Sequence, residues 1–217
     1  MTTTNEPLKQ RVLSGMVRQF GHPRGLGGRM AGWLMAHRPS NRQRNRWAVS
    51  LLEPGPADRV LEIGFGPGVA VAEFARRIPQ GRVYGIDHSA LMVRRASRRN
   101  RAAVRAGRVR LVQASVDRLP HVDGPLDAIL SVNSLWFWPD PAQRLGDLRG
   151  LLRPGGRIAL VSQPRRPGAN RDTTDEAARQ LRDLLADAGF AHLRVEILDL
   201  DPPVACVLGT NPAEGPR

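Results

Sequence analysis

From residue 55 onward the chain alternates short apolar runs with amphipathic stretches. The runs at 59–63, 82–86, 109–113, 126–131, 156–162, 192–199 and 203–209 predict strands. Apolar residues at helical spacing predict helices over 69–78, 89–103, 140–152 and 173–188. Strand and helix in alternation require parallel strands joined by crossovers. The last two strands lie close enough to form a hairpin through Asp201-Pro202-Pro203, which reverses the final strand. Ahead of this core, Leu26, Met30, Trp33, Leu34 and His37 fall at helical spacing, and Trp47, Leu51 and Leu52 predict a second amphipathic helix after the break at Pro39-Ser40. These helices could fold over the core as a lid or lie on a membrane surface. The lid is favoured because it buries Trp33 and Met30 without a partner.

The densest signal is Val60-Leu61-Glu62-Ile63-Gly64-Phe65-Gly66-Pro67-Gly68, a strand that breaks into alternating glycines and opens onto a helix. Such a turn lets backbone N–H groups and a helix N-terminus face a polar or anionic ligand. About twenty residues on, Val83-Tyr84-Gly85-Ile86-Asp87 reads as a buried strand ending in a carboxylate able to accept two ribose hydroxyls. Both features point to an adenosine-containing ligand. A dinucleotide site would carry G-x-G-x-x-G, whereas this chain has Glu-x-Gly-x-Gly-x-Gly.

On these residues the chain resembles the class I S-adenosylmethionine (SAM) dependent methyltransferases. The resemblance extends through VRLVQASVDRLP (Val109 to Pro120), the strand Leu126 to Asn133 and LRGLLRPGGRIALV (Leu148 to Val161), covering roughly residues 55–210. It implies a doubly wound, mostly parallel seven-stranded α/β sheet with the last strand antiparallel, helices on both faces and an N-terminal helical lid. Domain bounds follow as 1–52 for the lid, 53–211 for the SAM-binding domain and 212–217 for a tail. The cofactor it implies is SAM, leaving S-adenosylhomocysteine (SAH), with no metal. Glu62 would organise the turn and the cofactor amine, Gly64, Phe65, Gly66 and Gly68 would frame the methionine moiety, and Asp87 would hold the ribose. His88, Met92 and Asn133 are further candidate neighbours. Where the family often has an acidic residue followed by a small one against the adenine, this chain has Ser115 and Val116, with Asp117 as a substitute acceptor.

Composition narrows the rest. At 217 residues there is room for one domain with a sizeable core. No apolar run approaches a membrane span, and Met1 to Phe20 lacks the centre of a secretory signal, so a cytoplasmic protein is expected, as monomer or homodimer. The single cysteine, Cys206, excludes an internal disulfide or cysteine metal cluster. The net charge is +13 and almost wholly arginine, Lys9 being the only lysine. Arg94, Arg98, Arg101, Arg105 and Arg108 recur at steps of three and four, a face that could meet RNA, anionic lipid or an acidic protein. A solvated helix face is the favoured reading, since no aromatics interleave to stack bases.

The acceptor side is read from Asn133-Ser134-Leu135-Trp136-Phe137-Trp138-Pro139-Asp140, which leaves the fourth strand at its carboxyl end. Trp136 and Trp138, with Trp33 from the lid, could wall a pocket for a planar or apolar acceptor; alternatively one tryptophan packs inward and Asp140 caps the next helix. No general base stands out: His22, His37, His121 and His192 are candidates by residue type, and His22 and His37 lie in the lid. The cues favour a methyltransferase acting on a small molecule, in the broad group of quinone, sterol and natural-product enzymes. An RNA methyltransferase, an NAD(P)-binding oxidoreductase and a non-catalytic SAM-binding or lipid-surface protein are the rivals.

Overall fold

The computed structural model describes residues 39–213. Seven strands, β1 (Arg59–Ile63), β2 (Arg82–Asp87), β3 (Val109–Gln113), β4 (Leu126–Val132), β5 (Leu152–Ser162), β6 (Ala191–Leu198) and β7 (Val204–Thr210), form one sheet in the order β3-β2-β1-β4-β5-β7-β6. The pairings among β1 to β5 are parallel, and β7 runs antiparallel to both β5 and β6. The doubly wound reading is therefore met, including the reversed final strand.

Period-two side-chain alternation splits the sheet into two cores. Val60, Val83, Leu130 and Cys206 point to one layer, closed by α1 (Pro39–Leu51), α2 (Val69–Arg77), α3 (Ala90–Arg99) and α4 (Arg101–Arg105). Their neighbours Leu61, Tyr84, Ile129 and Val207 point to the other, closed by α5 (Pro141–Leu151) and α6 (Arg171–Asp187). Burying a side chain such as Leu130 or Ile129 contributes about 1.5–3 kcal/mol, so strands apolar on both faces are held at the centre. Cys206 is fully buried, which pushes its thiol above the ordinary range.

Three boundaries differ from the sequence expectation by more than one residue. The helix expected over 89–103 breaks at Asn100, which caps α3 and is buried; its Nδ2 donates to the Ala96 carbonyl at 2.9 Å and to the Gly68 carbonyl at 3.2 Å. A tie to the glycine loop thus replaces helical continuation, and the arginine stripe is divided between two helices. The fifth strand starts at Leu152 rather than 156, because Pro154-Gly155-Gly156 sits in an irregularity of the strand and not in a turn before it. Backbone bonds from Gly155 N to Asn211 O and from Asn211 N to Gly156 O, both 2.8 Å, pin that irregularity. The last helix begins at Arg171, two residues early, since Asn170 forms a capping box with Thr173.

The helix expected after Pro39-Ser40 is α1, which starts at Pro39 itself, where a missing N–H costs nothing. Residues 1–38, with Trp33, His22 and His37, lie outside the described residues, as do 214–217.

Candidate active site

Strands β1, β2, β4 and β5 end on one edge, and the chain leaves each of them into the candidate site. The loop Gly64 to Gly68 has three glycines with positive φ, at 71°, 52° and 74°. Their surroundings differ. A side chain on Gly64 would run into Ser134, and one on Gly68 would lie 2.7 Å from the Ala96 Cβ, whereas one on Gly66 would meet nothing within 4 Å. Gly64 and Gly68 are therefore packing glycines. Gly66 alone faces open space, where a ligand can approach backbone.

Two carboxylates flank this point. Asp87, at the end of β2, accepts the Gly66 N–H at 2.8 Å and the Ser89 N–H at 2.9 Å. Burial pushes its carboxyl up, opposed by those two donors and by His88. An ionised carboxylate has about four lone-pair sites, so both oxygens keep acceptor capacity. Glu62, inside β1, is 2% exposed, and its Oε2 has no partner among the described residues. Burial first, then the charge of Asp87, hold it well above the ordinary range, while the Val71 N–H in the first turn of α2 works the other way. An orphaned buried oxygen is a costly feature unless a ligand donor or water meets it. These features fit an adenosine-bearing amino acid: a backbone cradle at Gly66, an acceptor for hydroxyls at Asp87 and an acceptor for an amine at Glu62.

The remaining candidates are placed unevenly. Phe65 is buried, its ring against Gly85, and offers only backbone to the loop. Met92 is buried in the core with Phe65 and Ala96, and Val116 is buried in the opposite core. His88 is exposed, with Nδ1 3.8 Å from Asp87. Ser115 is exposed, and its hydroxyl bonds to Asp117, lowering that carboxyl. Asn133, at φ 54°, accepts the Gln163 N–H on Oδ1 at 2.7 Å and so ties the end of β4 to the end of β5.

Trp138 departs from the pocket expectation. It is 8% exposed among Leu135, Leu145 and other core residues, and its indole N–H donates to Ser134 Oγ at 3.3 Å. It is the inward-packing tryptophan, and Asp140 caps α5 by accepting the Gln143 N–H. Trp136 is 49% exposed and Phe137 53%, on a single 3-10 turn, Leu135–Phe137, at this edge. His121, 3.6 Å from Asp123, and His192, at the start of β6, belong to the opposite edge. Among the described residues no group of His, Cys, Asp and Glu could hold a metal ion, and no helix is long and apolar enough to cross a membrane.

Two features escaped the sequence reading. Ser134 donates to the Ile63 carbonyl at 2.8 Å and lies 2.8 Å from Ser131 Oγ, filling the space that Gly64 vacates. Arg44, on α1, is buried at 4% exposure and donates to Gln163 and Asn41. No motif marks either one; each becomes visible only through contacts across 71 and 119 residues of chain.

A family model described as "Methyltransferase domain" matches residues 60–156. The uncharacterized methyltransferase YdaC of Bacillus subtilis (strain 168) is 31% identical over 185 residues, covering 85% of this chain and 99% of that one. The ubiquinone/menaquinone biosynthesis C-methyltransferase UbiE of Geotalea daltonii is 30% identical over 128 residues, 58% of this chain and 54% of its own. A trans-aconitate 2-methyltransferase of Paracidovorax citrulli is 32% identical over 173 residues, 75% and 64%. The chain thus spans nearly all of YdaC but only part of the other two. Among solved structures, a SAM dependent methyltransferase from Aquifex aeolicus superposes with a TM-score of 0.62 at 17% identity, covering 95% of this chain and 99% of that one. At that identity the likeness speaks for the fold alone. With YdaC matched end to end and the glycine loop inside the matched segment, the chain belongs to the class I SAM-dependent methyltransferase family.

Proposed function

We propose that the loop at Gly66, with Glu62 and Asp87 on either side, binds SAM and that the protein transfers its methyl group to a small-molecule acceptor, releasing SAH. The observation that carries this reading is the open space at Gly66 between two buried carboxylates, one with an oxygen lacking a partner. Asp87 would hold the ribose hydroxyls and Glu62 the amine, directly or through water. When bound, the sulfonium supplies an activated methyl that an acceptor nucleophile takes by in-line displacement, the electron pair of the broken bond staying on sulfur.

The chain's own part is alignment and exclusion of water. Ser134 and Asn133 fix the ends of β4 and β5 beside the loop, so the acceptor approaches over a rigid edge. Trp136, exposed there, is the described residue best suited to flank it. No general base is assigned, which suits a carbon or amine nucleophile. Quinone and aconitate acceptors of the relatives fit a small-molecule substrate. Incubating the protein with a metabolite extract and methyl-labelled SAM, followed by mass spectrometry, tests this: one labelled small molecule is expected, and label confined to RNA or absent altogether would refute it.

A further inference from the structure

The inward face of α1 changes character along its length. Ala48, Val49 and Leu52 are apolar and fully buried, but one to two turns earlier the same side carries Asn41, Arg44 and Asn45, each under 9% exposed. A buried guanidinium is expensive unless a carboxylate compensates it. Among the described residues Arg44 makes no ion pair: its Nη donors go to the neutral oxygens of Gln163 and Asn41, and its Nε has no partner. The Arg165 guanidinium is also aimed at Gln163 Oε1, at 3.4 Å, so two like charges converge on one neutral amide. Burial and that neighbour push the Arg44 guanidinium down to about 9, which leaves it charged at neutral pH.

Gln163 follows the last residue of β5 and is locked there by its bonds to Asn133 and to the Pro202 carbonyl. In the order β2-β1-β4-β5, it lies three strands from Asp87, about 14 Å at a spacing of roughly 4.8 Å per strand. This charge, uncompensated among the described residues, is thus on the far side of the glycine loop from Asp87, where an acceptor would approach.

We propose that the methyl acceptor is a carboxylic acid and that Arg44 receives its carboxylate, with Gln163 orienting the guanidinium; this rests on the methyltransferase reading above. A guanidinium fork matches a planar carboxylate with two parallel hydrogen bonds, which a neutral amide oxygen cannot replace.

The test uses the full chain saturated with SAH and a panel of acids, benzoate, phenylacetate, succinate and trans-aconitate, each beside its amide, titrated by calorimetry. At least one acid is expected to bind tenfold or more tighter than its amide. Arg44→Met should erase that preference while SAH affinity stays within about twofold, and Arg44→Lys, which keeps the charge, should retain part of it and serves if the methionine variant does not fold. The proposal is overturned if no acid outbinds its amide or if the preference survives Arg44→Met. A tenfold loss of SAH affinity in Arg44→Met also overturns it, by giving the guanidinium to the cofactor's own carboxylate. Failure of SAH to bind the unsubstituted protein refutes the methyl-donor reading itself, and this inference with it.

Discussion

The Asp87 carboxylate accepts the Gly66 N–H at 2.8 Å, so the end of β2 holds the middle of the glycine loop. One side chain therefore shapes the loop and, on the proposed reading, would accept the ribose hydroxyls. Asp87→Ala should weaken SAH binding by about 1.5–3 kcal/mol, roughly ten- to a hundredfold in Kd, and lower the melting temperature because two backbone donors lose their partner. Calorimetry and thermal melts check this; unchanged SAH affinity would put the ribose elsewhere.

The three glycines should not be equivalent. Gly66→Ala adds a Cβ that touches nothing, so its folding cost is only the strain of a positive φ, about 1–2 kcal/mol, yet it should reduce SAH affinity at least tenfold. Gly64→Ala and Gly68→Ala carry that strain and also drive a Cβ into Ser134 or Ala96. They should lose more stability than Gly66→Ala, as chemical denaturation of the SAH-free proteins would report.

Ser134 has one hydroxyl proton, spent on the Ile63 carbonyl, so the Ser131 hydroxyl and the Trp138 indole must both donate to it. Ser134→Ala strands a carbonyl and an indole N–H, at about 1–3 kcal/mol of stability. Ser134→Thr keeps the hydroxyl and should recover part of the loss, measured by denaturant midpoint.

Glu62 carries the pH dependence. Its carboxyl is held above the ordinary 4.5 by burial and then by Asp87, so folding favours the protonated form. That contribution is complete below 4.5 and disappears as pH rises through the higher folded value. The SAH-free protein should lose stability as pH rises above 5, and Glu62→Gln should flatten the decline and be more stable than the parent at the alkaline end, by about 1–3 kcal/mol, while binding SAH more weakly. Parallel melts with no pH-dependent difference would remove this role.

Much of the fold was legible because the short, nearly continuous apolar runs at 59–63, 82–86 and 126–131, bounded by turn residues, fit strands buried on both faces. The loop was legible because alternating glycines between a strand and a helix have few other uses. Asn100 was not, since nothing local tells a capping asparagine from a helical one; its bond to Gly68 decides it. Trp138 and Trp136 are two residues apart on one short turn, and only the packing of Leu135 and Trp138 into the core turns one ring inward and leaves the other exposed. Arg44 was hidden for the same reason: in a chain with 33 basic residues, a buried arginine looks like any other until its partners across the sheet are known.

Calorimetric titration of the protein with SAH and, in parallel, with NADH addresses the central claim most directly. The account predicts saturable one-site binding of SAH, weakened in Asp87→Ala, and none of NADH. Binding of NADH at the same loop, or no binding of SAH, would contradict it.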